Sequence, residues 1–442
     1  MNLVLADRFR TDPRRVTKAI AHPQFLEYSP QLKAFMRRSR EADGQPEQVL
    51  YLQAQMANAL LGAEESQRGL KKDAKGAAGG DASHLTEIEA VIGVANRIAY
   101  VIRQIADGIA WRSLGYDRVM LHQLSLKPHT GHVELDVLLS EFTVAAEHLA
   151  GSGELVIIND ITNFLRYGDL TSVGKKGITI HEVKAGRGAA RSGHALKQRQ
   201  RTMGVLEFLK SRERRSGENV ERLVRFRAAP RGHAHELASL IREARREGSA
   251  HARLSDCLAA EVFDTELMAE AVHEGTASTK KCFHNPFAQS SDGGVHHSLQ
   301  FDRFTPNLAP YSVFPLPADD CADIMTGALW VFTYFNLGNL RRCLRRRGLF
   351  MRIPTEAELA GAPRDLKPGQ VRQHELDNPL LVTRGPPGPV LAVSFAALGR
   401  MMHEFLDEES FADMMEESLD SADPNAETIE FSAFEDEASL WD

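Results

Sequence analysis

The stretch from Gly168 to Gly186, GDLTSVGKKGITIHEVKAG, contains two short strand-like segments on either side of a turn. The segments are Asp169–Val173 and Ile178–Lys184, and both are rich in the β-branched residues that favour strands. Between them, the four residues 174–177 read GKKG, a composition typical of a tight turn. The simplest structure for this stretch is a β-hairpin.

A loop that closes symmetrically determines which residues of the hairpin face each other. In an antiparallel pair the numbers of opposite residues sum to a constant, so Asp169 is predicted to face Glu182. Lys184 follows Glu182 by two residues, and alternation along a strand puts its side chain on the same face as both acids. The hairpin therefore predicts two carboxylates and a lysine together at one end.

Two carboxylates at cross-strand distance repel each other unless a cation lies between them. Carboxylate oxygens are hard ligands that suit Mg²⁺ or Mn²⁺. A lysine beside them can orient or deprotonate water, or offset the charge of a phosphorane-like transition state. The pattern thus favours metal-assisted hydrolysis of a phosphodiester bond. The alternative is an exposed hairpin whose charged side chains are solvated and form a cross-strand ion pair.

Asp169, a hairpin, and then Glu182-Val183-Lys184 resemble the PD-(D/E)XK restriction-endonuclease-like superfamily. The resemblance implies an α/β core of helix, three strands, helix and strand, a mixed sheet flanked by helices. It implies that Asp169 and Glu182 are ligands of Mg²⁺ or Mn²⁺ and that Lys184 is the catalytic lysine. It covers roughly residues 133 to 228, and Gly168 stands where the family motif nominally has proline.

A second aspartate competes for the role of metal ligand. Asp160 ends the apolar segment ELVIIND (Glu154–Asp160), which is predicted to be a buried strand. Its spacing to Glu182 is longer than that of Asp169, so the hairpin register favours Asp169. Both aspartates remain candidates at this point.

Members of the family also often carry a glutamate on the first core helix. Residues 133–149 have helical spacing of apolar residues, and Glu134, Glu141 and Glu147 all lie on this segment. Spacing does not decide among the three. Glu141 is chosen here as the candidate fourth metal ligand.

A strongly basic segment follows the hairpin. Residues 184–215 hold ten Lys or Arg and two Glu, a net charge of +8 that suits a phosphate backbone. Family members often place Gln or Lys on the helix after the hairpin to assist the metal site or hold DNA. The candidate DNA-binding residues are Arg187, Arg191, Lys197, Gln200 and Arg201. The alternative is a solvated helix whose long cationic side chains cover apolar surface.

The rest of the chain divides into regions of different composition. We predict a helical N-terminal region (1–120), the nuclease-like core (121–250), an α+β region (251–403) and an acidic tail (404–442). Local patterns also predict a flexible linker or mobile loop at 71–83, an amphipathic helix at 85–109, a helix at about 234–247, helical patches at 254–274 and a strand at 380–383. Within the third region, residues 319–347 are predicted to form an apolar helix. Its last residues include arginines at 341, 342, 345, 346 and 347. These arginines are either a favourable charge set at a helix end, which we favour, or a second contact with a polyanion.

The net charge of −7 conceals a strong asymmetry. Residues 404–442 hold fifteen Asp or Glu and no Lys or Arg, so the other 403 residues carry a net charge of +8. A tail of this kind is predicted to be solvated. It could dock on the basic segment, or it could recruit a protein partner through its aromatic residues.

The composition excludes several classes of protein. With 442 residues, 43% hydrophobic and 26% charged, the chain is not a disordered protein. It lacks a run of the roughly 18 to 20 apolar residues needed to cross a membrane, and its N-terminal apolar run is too short for a secretory signal. Four scattered cysteines without a CxxC pair argue against a disulfide framework or a zinc ribbon. A cytoplasmic location without a membrane partner is expected.

The function predicted from the sequence is a Mg²⁺-dependent endonuclease acting on DNA, as part of a bacterial phage-defence or DNA-processing system. The main alternative is a nucleic-acid-binding or regulatory module that does not cleave. An RNA-targeting toxin is the weakest of the three, so DNA is favoured over RNA as the partner. Whether the chain forms a homo-oligomer is left open.

Overall fold

The computed structural model describes residues 19, 21–76, 82–125, 133–175, 177–183, 193–216, 219–268, 287, 294–298, 308–353, 370–373, 380–386, 388–422 and 427–441. Within these ranges the chain is a mixed α/β protein with three β-sheets. Most of its buried apolar residues belong to one core that extends from Ala19 to Trp441.

Helices predominate in the N-terminal part of the chain. In chain order they are α1 (Pro23–Glu41), α2 (Pro46–Gly76), α3 (Ala82–Ser113), α4 (Arg118–Ser125), α5 (Leu135–Ser152), α6 (Gly193–Ser211), α7 (Ala234–Glu247), α8 (Ala318–Thr326), α9 (Leu337–Arg346), α10 (Phe395–His403) and α11 (Glu408–Asp420). The predicted amphipathic helix at 85–109 lies within α3, and α1 and α2 pack against it.

The strands alternate with these helices. They are β1 (Leu155–Ile158), β2 (Leu170–Gly174), β3 (Gly177–His181), β4 (Glu213–Ser216), β5 (Asn219–Phe226), β6 (Ser249–Arg253), β7 (Leu258–Asp264), β8 (Gly294–Ser298), β9 (Leu329–Asn336), β10 (Phe350–Arg352), β11 (Gln370–Gln373), β12 (Leu380–Thr383), β13 (Val390–Val393) and β14 (Glu427–Phe434).

The first sheet is the antiparallel meander β1-β2-β3, and it contains the predicted hairpin. Its register is the one expected from the sequence: Thr171 pairs with Ile180 and Val173 with Ile178. The free edge of β1 is covered by the side chain of Gln53 from α2. The Gln53 amide donates to the carbonyl of Val156 and accepts from the amide of Ile158, both at 2.8 Å.

The second sheet has the strand order β10-β12-β13-β11-β14-β5-β4. Here the structure departs from the core implied by the family resemblance, because β4 and β5, the two strands after α6, lie in this sheet and not beside β1. Two contacts account for the difference. Gln53 already satisfies the edge of β1, and β5 pairs in parallel with all eight residues of β14.

The third sheet, β6-β7-β9-β8, corrects the prediction of one apolar helix over 319–347. That segment forms α8, then β9, then α9. Gly327, with φ of 91°, ends α8, and the sequence LWVFTYFN of β9 is rich in aromatic residues that favour a strand. Seven residues of β9 pair with β7, which itself corrects a predicted helix in 254–274.

The prediction of a solvated acidic tail is also wrong for the described residues of 404–442. They form α11, then β14, an interior strand of the second sheet between β11 and β5. The side chains of Phe434, Leu440 and Trp441 are buried, so they are not presented to a partner. A segment rich in acids is internal because arginines from the body neutralise its buried carboxylates.

The prediction of a flexible linker at 71–83 is wrong for residues 71–76 and 82–83, which belong to α2 and α3. Helix α2 continues to Gly76 because Lys, Asp and Ala in 71–75 are compatible with a helix, and residues 77–81 lie outside the described part. A search of the described helices finds none with the length and apolar character needed to cross a bilayer.

Candidate functional site

The meander brings three of the predicted acids to one end of the first sheet. Asp160 lies just after β1, Asp169 just before β2 and Glu182 just after β3. In an antiparallel meander these three positions lie at the same end of the sheet. Two backbone hydrogen bonds continue the ladder there, from Asn159 N to Asp169 O (2.9 Å) and from Asp169 N to His181 O (2.8 Å).

The side chain of Asp169 contacts the backbone beyond β3. Its Oδ2 accepts a hydrogen bond from the amide of Val183 at 2.5 Å. Glu182 is exposed at the same end of the sheet, and Lys184 lies outside the described residues. The bond to Val183 therefore holds the start of the segment that leads to Lys184 beside the aspartate.

Asn159 fixes the loop that carries Asp169. Its buried side-chain amide donates to the carbonyls of Tyr167 (2.9 Å) and Gly168 (3.2 Å), and its Oδ1 accepts from Thr171 Oγ1 (3.0 Å). Hydrogen bonds of this kind keep a buried amide satisfied and order the backbone around it. The position of Asp169 is thus set by the neighbouring strand.

Gly168 explains the departure from the nominal proline of the family motif. Its φ is +68°, a conformation closed to proline and strained for other residues. A Cβ at this position would lie 2.4 Å from Ile180 Cγ2 and 2.7 Å from the carbonyl oxygen of His181. Glycine is required here by both the backbone angle and the space.

Replacing Gly168 with alanine is expected to destabilise the protein by about 2 to 3 kcal/mol and to displace Asp169, because strain and a backbone clash act together. Urea unfolding measures the cost. Gly177→Ala is the matched control, since Gly177 also has positive φ (105°) but an added Cβ would meet nothing within 4 Å. Equal losses in the two variants would show that the close approach to His181 does not matter.

Glu141 is the acid whose surroundings are most unusual. It lies on the face of α5 that also buries Leu138 and Ala145 and packs on β1. Its side chain is fully buried, and neither carboxyl oxygen has a hydrogen-bond partner. Glu134 and Glu147 on the same helix are exposed. Of the three glutamates proposed for this helix, Glu141 alone points into the protein.

Electrostatic interactions join Glu141 to the two aspartates. Burial raises the pKa of Glu141 to about 9, and the negative charges of Asp160 and Asp169 add to this effect. Burial also raises the pKa of Asp160, against the opposing charges of Arg103 and Arg166. Glu141 is therefore uncharged at neutral pH, next to two aspartates at the end of the sheet.

Several polar residues at this site were missed in the sequence. Arg103 of α3 donates to the carbonyl of Asp160 (2.7 Å) and to Glu64 Oε1 (3.0 Å), and this pair is buried. Four residues on, Asp107 accepts from the amide of Asn163 (2.6 Å), and burial raises its pKa to about 6. A signal was present, because Arg103 and Asp107 interrupt the apolar face of α3 at i, i+4 spacing.

The donor chemistry of the site suits a divalent cation, but the described side chains do not enclose one. Carboxylates are the ligands that Mg²⁺ and Mn²⁺ prefer, and the carboxyl group of Glu141 is buried without a hydrogen-bond partner. However, in the described ranges no three His, Cys, Asp or Glu side chains are arranged so that they could hold a metal ion. The acids are neighbours without forming a finished coordination sphere.

The predicted DNA-binding residues are largely outside what can be described. Arg187 and Arg191 lie outside the described residues, as do the side chains of Lys197 and Arg201, whose backbone belongs to α6. Gln200 is exposed on α6. The basic character of this segment is thus a property of the sequence, and the contacts of most of its side chains are not described.

Comparison with known proteins yields no match to a family model, to a curated protein or to a solved structure. The resemblance to the PD-(D/E)XK superfamily accordingly stays a prediction from the motif. The chemistry of this chain has to be inferred from Glu141, Asp160, Asp169 and their neighbours.

Proposed function

We propose that the chain is a metal-dependent nuclease of the PD-(D/E)XK kind that hydrolyses phosphodiester bonds in DNA. The observation that carries the proposal is the buried, unpartnered carboxyl of Glu141 beside Asp160 and Asp169. A core avoids such a group, because burial without a hydrogen bond costs on the order of 1 to 3 kcal/mol. Local conflicts of this type are expected at functional sites.

A divalent cation relieves both costs at once. It compensates the mutual repulsion of the acids and supplies the missing partner of Glu141. Glu141, Asp160 and Asp169 would have to move their side chains toward one another to hold it, since no three acids of the described ranges are arranged around an ion. Exposed Glu182 lies at the same end of the sheet. When bound, the ion polarises a phosphoryl oxygen and lowers the pKa of water.

The remaining steps fall to the chain itself. The hydrogen bond from Val183 N–H to Asp169 orients the segment that continues to Lys184. As the catalytic lysine, Lys184 would orient the attacking water or offset charge on the transition state. The basic segment 184–215 would bind the phosphate backbone of the DNA. A role in phage defence or DNA processing is part of the proposal by analogy.

The order of elements supports this proposal. The chain order α5, β1, β2, β3, α6, β4 and β5 agrees with the helix, three strands, helix and strand that the resemblance implies, except that the short strand β4 is inserted before β5. The Glu on α5 and the acids at the strand ends lie on the elements that the resemblance implies for metal ligands, which supports the proposal. The location of β5 in another sheet is the main difference from the expected core.

A second candidate is a nucleic-acid-binding module that does not cleave. One observation favours it: the acids of the described ranges are not arranged to hold a metal ion. In such a module the basic segment would bind a polyanion, and the buried Glu141 would be a remnant. Cleavage assays separate the two candidates.

Asp169→Asn is expected to lower Mg²⁺-dependent nicking of supercoiled plasmid on the order of a hundredfold or more, with DNA binding retained. Glu182→Gln and Lys184→Ala should have effects of similar size. Asp160→Asn tests the second aspartate: a comparable loss assigns both aspartates to the metal, and little loss leaves Asp169 alone in that role. Glu147→Gln, an exposed acid on α5, is the control. The native protein should be assayed with Mg²⁺ and Mn²⁺ on both DNA and RNA.

Two results would contradict the nuclease proposal. One is that the native protein binds DNA but cleaves neither DNA nor RNA with either metal, which supports the non-cleaving module. The other is cleavage that survives all four substitutions, which would place the activity elsewhere or in a contaminant.

A further inference from the structure

A basic pocket lies in the C-terminal half of the chain, formed by residues that the proposed nuclease site does not use. It has a volume of about 500 Å³ and is lined by Arg253, Asp256, Asn339, Arg342, Arg345 and Arg346. Four arginines face one aspartate, a formal excess of three positive charges (4 − 1). The concavity is thus strongly cationic.

Two elements supply the walls of this pocket. Arg253 and Asp256 lie in β6 and the connection to β7, while the remaining lining residues lie on α9. Arg342, Arg345 and Arg346 have i, i+3, i+4 spacing and so share one face of the helix. The pocket is therefore a place where one turn of a cationic helix faces a turn between two strands.

Hydrogen bonds fix the two walls relative to each other. Asn336, the N-cap of α9, donates its backbone amide to the carbonyl of Cys257 at 2.8 Å. The side chain of Asn339 donates to the carbonyl of Asp256 and accepts from Arg342. The guanidinium groups are consequently presented from a preformed frame, which lowers the entropy cost of binding a ligand.

The carboxylates nearby offset this set only in part, because Glu409 of α11 and Asp256 both act on the charge of Arg346. Asp256 pairs with Arg253 at 2.9 Å, and the acids of α11 (Glu416 and Asp413) pair with Arg347, which is not a lining residue. Among the described residues, no carboxylate lies within ion-pair distance of Arg345. Like charges held together in a concavity repel each other unless an anion binds.

Guanidinium groups recognise phosphate through paired, charge-assisted hydrogen bonds. A volume of this size is typical of sites for small ligands rather than for an extended polymer. We propose that the pocket binds a small ligand with two or three linked phosphate groups, either a nucleoside polyphosphate or an inorganic polyphosphate. The site is separate from the acids of the first sheet and does not depend on nuclease activity.

Titration calorimetry of the full chain with inorganic triphosphate, ATP and GTP tests this proposal. Buffers without divalent cations and with about 0.15 M salt exclude metal bridging and weak screening-sensitive contacts. We expect saturable binding with one site and a Kd below about 1 mM for at least one of these ligands. Equal affinity for triphosphate and ATP indicates recognition of phosphate alone, and tighter ATP or GTP indicates a nucleoside.

The double variant Arg342→Gln/Arg345→Gln should weaken binding about a hundredfold, roughly tenfold for each arginine. Both side chains are exposed, so the variant should fold, and an unchanged melting temperature checks this. Arg242→Gln, an exposed arginine on α7, is the control and should bind like the native protein. The proposal is overturned if none of the three ligands binds, or if the double variant binds as well as the control. It is also overturned if the double variant loses affinity only for duplex DNA, which would assign the arginines to a polymer backbone.

Discussion

Replacing Glu437 with alanine is expected to destabilise the protein by about 3 to 5 kcal/mol, because it removes one member of a buried ionic network. Arg118 and Arg400 each pair with both Glu404 and Glu437, at N–O distances from 2.5 to 3.0 Å. All four residues are at most 5% exposed. Loss of one carboxylate leaves two buried guanidinium groups with a single acid.

The network also determines how the C-terminal segment is held. Glu437 Oε2 accepts from the amide of Phe434 (3.1 Å), the last residue of β14, and Arg118 lies over the ring of Trp111 at 5.0 Å. The Trp111 and Trp441 rings meet edge to face at 6.4 Å. Substitution of Glu437 is therefore expected to loosen both the end of β14 and the residues after it.

Urea unfolding of Glu437→Ala and of a neighbouring control measures this effect. Glu435→Ala removes an exposed acid two residues away and should change stability by less than about 0.5 kcal/mol. If the two variants differ by less than 1 kcal/mol, on the order of one ordinary hydrogen bond, then the network contributes little and β14 is held by strand pairing alone.

The parts of this fold that were predictable depend on local rules. The hairpin register follows from the turn, since pairing of Val173 with Ile178 fixes every later pair. The helix at 234–247 and the strand at 380–383 follow from periodicity and composition, and both have the predicted bounds. The same register correctly predicts that Asp169 lies at the end of the hairpin, just before β2.

The parts that could not be predicted depend on long-range partners. The composition of 404–442 indicates a solvated tail, but ion pairs with arginines distant in sequence, such as Arg118 with Glu437 and Arg347 with Asp413, make its packing on the body favourable. Likewise, Gln53 occupies the edge of β1 from 103 residues away, which no local pattern reveals. In both cases a tertiary contact overrides a correct local preference.

Glu141 was selected from three glutamates without a deciding signal, and the structure supplies one. Spacing puts all three on one helix, but burial depends on which face packs against β1. Leu138 and Ala145, three residues before and four after, mark that face as apolar. An acid in line with such residues is the pattern that could be sought in other sequences.

Replacing Glu141 with leucine is expected to stabilise the protein and to abolish metal-dependent activity. In the folded state the pKa of Glu141 is raised from 4.5 to about 9, so between these values the native protein binds one more proton than the unfolded chain. The free energy of unfolding therefore falls by about 1.4 kcal/mol per pH unit as pH rises through this window. Leucine has a similar volume and does not bind a proton. The free energy of unfolding of the variant therefore does not fall with pH in this way.

At pH 7 the gain should be on the order of 3 kcal/mol, larger at pH 8 and close to zero near pH 4.5. Urea unfolding of the native protein, Glu141→Leu and Glu147→Gln at pH 6 and pH 8 measures the gain and its slope. The exposed Glu147 serves as the control and should show neither. Added Mn²⁺ should raise the stability of the native protein but not that of Glu141→Leu, because only the native site can bind the ion.

The combination of these results distinguishes a functional acid from a structural one. If Glu141 only contributes to packing, its replacement would lower the stability of the protein with little dependence on pH. Mn²⁺ would then act equally on the native protein and on Glu141→Leu. If Glu141 binds metal, the variant becomes more stable, its stability no longer responds to Mn²⁺, and cleavage is lost. The three effects go together because natural sites retain destabilising groups where activity needs them. A stability gain without any effect of Mn²⁺ on the native protein would leave Glu141 unexplained by metal binding and would favour the non-cleaving module.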